Sequence, residues 1–411
     1  MSGARRVVVT GMGGVSALGS SWTEVEPRLH SLRNAVKRMP EWDRHGELLH
    51  TRLAAPIENF EPQTYYPRKM TRSMGRVSLL ALRATELALM QAGLVGDACL
   101  SDGRTGIAYG SSSGSVEPVR VFGQMLATGS MQGVTSTSYI QMMPHTTAVN
   151  VGLYFGLKGR VIPTSSACTS GSQGIGYAFE TVRAGKQALM VAGGAEELSA
   201  PAAAVFDTLF ATSTRNDAPS QTPRPFDKAR DGLVIGEGAA TLIVEDREHA
   251  MARGATPLVE IVGFGTNSDG THITQPDQRE QARAMRMALE DAGLPPSAIG
   301  YVSAHGTATD RGDVSEAHAT REVVGSAVPI SALKSYIGHT LGACGAIESW
   351  WTIEMMRARW FAPTLNLSEP DPECASLEHI IAAGRRLDIE YALKNNFAFG
   401  GINTSLVFRR L

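Results

Sequence analysis

Short runs of β-branched and small apolar residues alternate along the chain with longer stretches whose apolar positions recur every three to four residues. "RRVVVTG", "ALMVAGGAEE" and "ATLIVED" are the clearest runs, and their composition suits buried strands. "GRVSLLALRATELALMQAG" has a helical period and ends at Gly93, a natural stop. Ser21 and Glu24 in "SSWTEVEPRLHSL" have capping-box spacing and predict a helix after the first strand. Strands that alternate with helices predict an α/β protein built in layers.

Distant segments also match one another. "LMQAGL", with Gly93, leads into "GIAYGSSSG", and "LEDAGL", with Gly293, leads into "IGYVSAHGT". Cys168 is followed by glycines at +3 and +6 (Gly171, Gly174), and so is His339 (Gly342, Gly345); each then continues as a helix, to about Val182 and Arg357. Two ordered matches predict a duplication, with halves at 1–250 and 251–411. Equivalent turns of the two halves are then expected to converge, bringing Cys168, His305 and His339 together.

Composition narrows the partners. The 411 residues carry a formal charge of −2, with 43% hydrophobic and 19% charged residues, so no global charge recruits nucleic acid or an acidic membrane. No run of about 18 apolar residues occurs, and the N-terminal segment enters a strand without a small-residue cleavage site, so a cytoplasmic protein is expected. Cys99, Cys168, Cys344 and Cys374 lie far apart without a CxxC pair, which argues against a disulfide framework and a zinc site. With neither H-x-x-E-H nor an i, i+4 histidine pair, no metal is expected.

"SSACTSGSQGIG" surrounds Cys168 with small residues at the start of a helix, a setting expected to expose the sulfur, lower its pKa and place a backbone N–H near a developing oxyanion. Cys99, Cys344 and Cys374 are expected to pack only. "SAHGTATDRGD" places His305 at a strand end ahead of Thr307, Thr309 and Asp313, and "ALKSYIGHTLGACGAIESWW" supplies Lys334, His339 and Glu348. In "NNFAFGGINTSLVF", Gly400 and Gly401 would let Phe399 swing. Gly11 and Gly13 follow the first strand, but Ser16 occupies the third fingerprint position, so they predict a tight strand-to-helix connection and not a dinucleotide site.

"SSACTSG", "HGTATDRGD", "LKSYIGHTLGACGAIE", "NNFAFGGIN" and the intervening "PRPFDKARDGLVIGEGAA" closely resemble the chain-elongating 3-oxoacyl-(acyl-carrier-protein) synthases. The similarity runs from "RRVVVTGMG" to "TSLVF". It implies the thiolase fold: two α/β halves in a five-layer αβαβα arrangement, usually a homodimer. It implies that Cys168 carries the acyl group, that His305 and His339 contact the malonyl thioester and support its decarboxylation, and that Lys334 and Glu348 support the histidines. The N–H groups of Cys168 and Phe399 would form the oxyanion hole, Thr307 and Thr309 would bind pantetheine, and Phe399, Gly400 and Gly401 would gate the acyl pocket. No cofactor is implied, because phosphopantetheine arrives on the acyl carrier protein.

An acidic carrier calls for a local basic patch, and "YYPRKMTRSMGR" supplies Arg68, Lys69, Arg72 and Arg76, with Arg215 in "TSTRND". Ser113 stands where elongating members carry a bulky apolar residue beside the acyl tunnel, which leaves fatty acid, polyene and polyketide pathways open. A non-catalytic chain-length subunit is the alternative, opposed by Cys168 and both histidines; the partner in a dimer is an identical or related chain.

Overall fold

A computed structural model describes residues 5–411. Strands β1 (Val7–Ser16), β2 (Thr105–Gly110), β3 (Val161–Pro163), β4 (Leu189–Glu196) and β5 (Gly238–Asp246) come from the first half of the chain. Strands β6 (Val259–Ser268), β7 (Ile299–Ser303), β8 (Pro329–Ser331), β9 (Tyr391–Ala398) and β10 (Ile402–Arg410) come from the second. Read outward from the junction, the order is β1-β5-β4-β2-β3 on one side and β6-β10-β9-β7-β8 on the other. Each half thus runs first-fifth-fourth-second-third, with two antiparallel pairings followed by two parallel ones. The halves join where Val7–Val9 pairs antiparallel with Val259–Ile261.

The helices α1 (Trp22–His30), α2 (Arg76–Ala92), α3 (Ser170–Arg183), α4 (Gln278–Ala292), α5 (Asp310–Val324) and α6 (Cys344–Ala358) cover these strands. Helix α2 packs on the first set of strands and α4, backed by α5, on the second, while α3 and α6 touch strands of both. The layers are therefore αβαβα, as the resemblance implies. Bare backbone allows the outer contacts. A Cβ on Gly11 would stand 2.3 Å from Ala88 O, and one on Gly265 would stand 2.1 Å from Ala284 O, so glycine in the strand lets an alanine-rich helix lie directly on it. Gly11 and Gly13 lie inside β1, not at its end; the expected strand-to-helix connection is replaced by a strand that continues to Ser16.

Two further expectations change. Ser21 makes no side-chain cap; the Glu24 carboxylate instead accepts the Ser20 N–H at 2.8 Å. The register of the duplication also moves by three residues. A 3₁₀ turn, Ala167–Thr169, leads into α3, and its counterpart Leu341–Ala343 leads into α6, each opening on a left-handed residue (Ala167 φ 50°, Leu341 φ 46°). The two helices cross reciprocally: a Cβ on Gly171 would lie 2.8 Å from Ala346 N, and one on Gly345 would lie 2.5 Å from Ser172 N. The counterpart of Cys168 is thus Gly342, and His339 precedes the matching turn.

This crossing holds the middle layer. Gly345→Ala is expected to destabilise the fold by about 1–3 kcal/mol, because overpacking outweighs the helix-propensity gain of alanine. Gly123→Ala, in a helix with open space around the new methyl, is expected to stabilise by up to about 1 kcal/mol. Thermal denaturation of both variants checks the pair of opposite signs.

Candidate active site

A cavity of about 540 Å³ is lined by residues of both halves, among them Cys168, Phe206, His305, Thr307, His339 and Phe399. Its size suits a small-molecule site. The turn that presents Cys168 is tied internally by its small polar residues. Ser170 Oγ donates to Ala167 O (2.7 Å) and accepts the Ser166 N–H (3.0 Å), while Thr169 Oγ1 donates to Ser166 O (2.8 Å). Bulkier neighbours would lose these bonds and the left-handed Ala167. Burial pushes the Cys168 thiol up to about 11, against the pull of Lys334 and of the backbone N–H groups of Phe399 and of Cys168 itself. The expected lowering by the helix end is overturned, since dehydration of the thiolate outweighs it.

The two imidazoles have defined tautomers. His339 Nδ1 accepts the Leu341 N–H at 3.1 Å, so its proton sits on Nε2, which lies 3.1 Å from Cys168 Sγ. His305 Nδ1 faces two donors, Lys334 Nζ at 3.1 Å and Asn396 Nδ2 at 3.2 Å, so its proton also sits on Nε2. The rings stand edge to face, 5.2 Å apart. Burial, the Lys334 ammonium and, further out, Lys394 hold both well below the usual histidine range, and at neutral pH both are uncharged.

Behind His305 lies a buried charge network. Lys334 Nζ donates to Glu348 Oε1 (2.5 Å) and to His305 O (2.6 Å). Lys394, absent from the sequence expectations, meets Glu348 Oε2 at 2.7 Å. Glu316 was missed in the sequence, and Asp313 was named there without a role; both hold the turn that follows His305. Glu316 accepts the N–H groups of His305 and Gly306, both at 2.7 Å, and Asp313 accepts those of Thr307 (3.0 Å) and Ala308 (3.1 Å). Their spacing of three on α5 was a legible signal, because it puts both carboxylates on one helical face. Burial raises them, to about 7 and about 6 respectively. Glu196, fully buried, accepts Ser112 N (2.8 Å) and Gly342 N (3.0 Å) and so ties the two halves together beside the cysteine.

The remaining expected positions divide. Thr307 and Thr309 line the cavity, with their hydroxyls 2.8 Å apart. Phe399 packs against Phe206, and Gly400 and Gly401 turn the hairpin with φ of 88° and 72°. Gly400 N donates to Ile273 O. Arg68, Lys69 and Arg72 are exposed but lie outside the cavity lining. Arg76 is held by Glu237 through two 2.8 Å bonds, which removes it from a docking patch. Arg215 reaches Asp231, a lining residue, at 3.4 Å. Ser113 is exposed, with Oγ 3.4 Å from Glu196, and lies outside the lining. Cys344 is buried with its thiol donating to Cys168 O at 3.2 Å.

The ligating atoms of Cys168, His305 and His339 lie within 4.8 Å of one another. A cation there would require both imidazoles to reverse tautomers against Leu341 and Lys334. Two N–H donors backed by ammonium groups instead make a place for developing negative charge.

The sequence matches the family profile "Beta-ketoacyl synthase, N-terminal domain" over residues 4–250 and "Beta-ketoacyl synthase, C-terminal domain" over residues 258–368. The chain belongs to the beta-ketoacyl synthase family. It is 37% identical over 416 residues to 3-oxoacyl-[acyl-carrier-protein] synthase 2 of Vibrio cholerae, covering 99% of both chains. It is 36% identical over 417 residues to the synthase of the same name from Staphylococcus aureus, covering 100% of this chain and 99% of that one. Among solved structures, a beta-ketoacyl synthase from Burkholderia phymatum is 67% identical with a TM-score of 0.97, and covers 99% of this chain and all of its own. The ishigamide ketosynthase/chain length factor is 29% identical with a TM-score of 0.91, at coverages of 99% and 100%. These likenesses bear out the expected family and the thiolase fold.

With the thiol neutral at rest, iodoacetamide alkylation of Cys168 is expected to accelerate about tenfold per pH unit above neutrality and to level off near pH 11. Removing Lys334's charge, as in Lys334→Met, moves that plateau to higher pH. Mass spectrometry of the Cys168 peptide over a pH series checks both.

Proposed function

We propose that this chain is a 3-oxoacyl-(acyl-carrier-protein) synthase that extends an acyl thioester by two carbons through decarboxylative Claisen condensation. The observation that carries this reading is Cys168 Sγ set among the backbone N–H groups of Phe399 and Cys168 and the Nε2–H of His339. The sulfur displaces the carrier's thiol from an acyl thioester, and the thiol proton leaves with that carrier. One thioester replaces another, so the exchange is nearly isoenergetic.

A malonyl thioester then loses its carboxylate as carbon dioxide, and the electron pair moves onto the thioester oxygen as an enolate. The Nε2–H groups of His305 and His339 donate to that oxygen. The enolate carbon attacks the acyl carbonyl on Cys168, and the tetrahedral oxyanion is received by the two backbone N–H groups. Collapse releases the 3-oxoacyl carrier and expels Cys168 as a thiolate, which takes up one proton from solvent to restore the thiol.

Lys334 and Glu348 position His305, Thr307 and Thr309 take the pantetheine arm, and Phe399 with Gly400 and Gly401 gates the acyl end. Phosphopantetheine comes with the carrier, so the enzyme supplies no cofactor. Arg68, Lys69 and Arg72, with Arg215 nearer the cavity, form the docking face for the acidic carrier. The assembly is a dimer with an identical or related chain. No helix among the described residues is long and apolar enough to cross a membrane, consistent with work in the cytoplasm. The halves at 1–250 and 251–411 act as one catalytic unit, since neither holds the site alone. Fatty acid synthesis is favoured by the names of the curated relatives; a polyketide or polyene product is the second reading, favoured by the likeness, at 30% identity and a TM-score of 0.88, to a ketosynthase solved with its type II PKS acyl-carrier protein and a hexaketide.

The half-reactions are expected to separate. Cys168→Ala forms no acyl adduct yet still releases carbon dioxide from malonyl carrier. His305→Ala and His339→Ala accept the acyl group but lose decarboxylation by about 10²–10³-fold. Intact mass spectrometry and labelled carbon dioxide release read the two steps. An adduct that persists in Cys168→Ala contradicts the mechanism.

A further inference from the structure

The carboxylate of Glu348 is shared by two lysines, and the mechanism above uses only one of them. We infer that Lys394 is a second positioning lysine of the site: it holds Glu348 and, through Asn396, His305, and it supplies a buried positive charge that Glu348 leaves unbalanced. This inference rests on the proposed condensation and deepens it.

Hydrogen-bond geometry fits two ammonium ions. Burial and Lys334 pull Lys394 below the usual lysine range, and Glu348 pulls against them. Lys394 is fully buried, and its Nζ has three acceptors: Asn395 O at 2.6 Å, Asn396 Oδ1 at 2.7 Å and Glu348 Oε2 at 2.7 Å. Lys334 Nζ likewise has Glu348 Oε1, His305 O and His305 Nδ1. Three acceptors around each nitrogen use the three protons of an ammonium. Asn396 then carries the link onward, its Nδ2 lying 3.2 Å from His305 Nδ1 and 3.1 Å from Glu348 Oε2.

Two buried cations against one carboxylate leave an excess of one positive charge. The other groups facing His305 do not cancel it. Glu316, raised to about 7, carries only part of a charge at neutral pH; Asp313 is 3.9 Å from Arg230; Cys168 and Cys344 are protonated thiols, raised by burial; and His339 is neutral. An unbalanced buried charge is unfavourable at rest. It becomes favourable when the malonyl carboxylate, the enolate or the tetrahedral oxyanion occupies the cavity. The excess also keeps the imidazoles uncharged, so their Nε2–H groups remain donors rather than acids.

The test compares Lys394→Met, which removes the charge and all donors, with Lys394→Gln, which removes the charge and keeps an amide donor. Decarboxylation of malonyl carrier is followed from pH 5 to 8, alongside thermal melting. In both variants kcat is expected to fall about tenfold with KM for the carrier unchanged. Loss of a neighbouring positive charge makes imidazolium easier to form, so the acid limb of the profile is expected to move up by about one pH unit. Parent values of kcat and of the acid limb in a folded variant would overturn the inference, and so would failure of both variants to fold, which would make Lys394 purely structural. If the parent itself releases no carbon dioxide, the proposed condensation fails first and takes this inference with it.

Discussion

A carboxylate removed from water must be met by cations or by a dense set of N–H donors, and Glu348 is met by both. Lys334, at the start of a short helix, and Lys394, within strand β9, close on its two oxygens, and the same Lys334 nitrogen fixes the ring of His305. Everything chemically useful in the cavity follows from that arrangement. It sets one imidazole's tautomer, it holds both imidazoles neutral, and it leaves the region receptive to negative charge. Without it, His305 would be a buried ring with two faces to choose from.

The duplication explains how so many charged groups come to be buried together. Each half contributes a strand-turn-helix at the middle layer, and the helices α3 and α6 approach through glycine and alanine on both sides. That closeness brings the Cys168 turn against the Leu341 turn, where the left-handed Leu341 aims its N–H at His339 Nδ1. Carboxylates stitch the remaining turns: Glu196 joins Ser112 to Gly342, and Glu316 with Asp313 holds the backbone from His305 to Ala308. The halves have diverged in function, one presenting the sulfur and the other the N–H donors, while the strand order stayed the same.

Much of this was legible in the chain. The Ala-Gly-Leu helix ends and the glycine-rich turns announced the two halves and pointed to Cys168, His305 and His339. The register was misread because Gly342 and Gly345 repeat the +3 and +6 spacing after His339, although the structural partner of Cys168 is Gly342 itself. Lys394 and Asn396 escaped because a lysine within a strand reads as a solvent-facing residue until its neighbours are known. The thiol's raised pKa escaped for a similar reason: a local helix end is visible in sequence, whereas the loss of water around Cys168 is a tertiary property. The Ser21–Glu24 pair shows the converse, since its spacing was right but the carboxylate found Ser20 instead.

The central claim is that His305 and His339 stand at neutral pH as uncharged imidazoles with their protons on Nε2. Nitrogen-15 NMR of the histidine-labelled protein tests it most directly, with the two residues assigned by single histidine variants. The account predicts an unprotonated Nδ1 and a protonated Nε2 for both, unchanged as the pH is lowered through the usual histidine range. An imidazolium signal from either ring at neutral pH, or a proton on Nδ1, would contradict it.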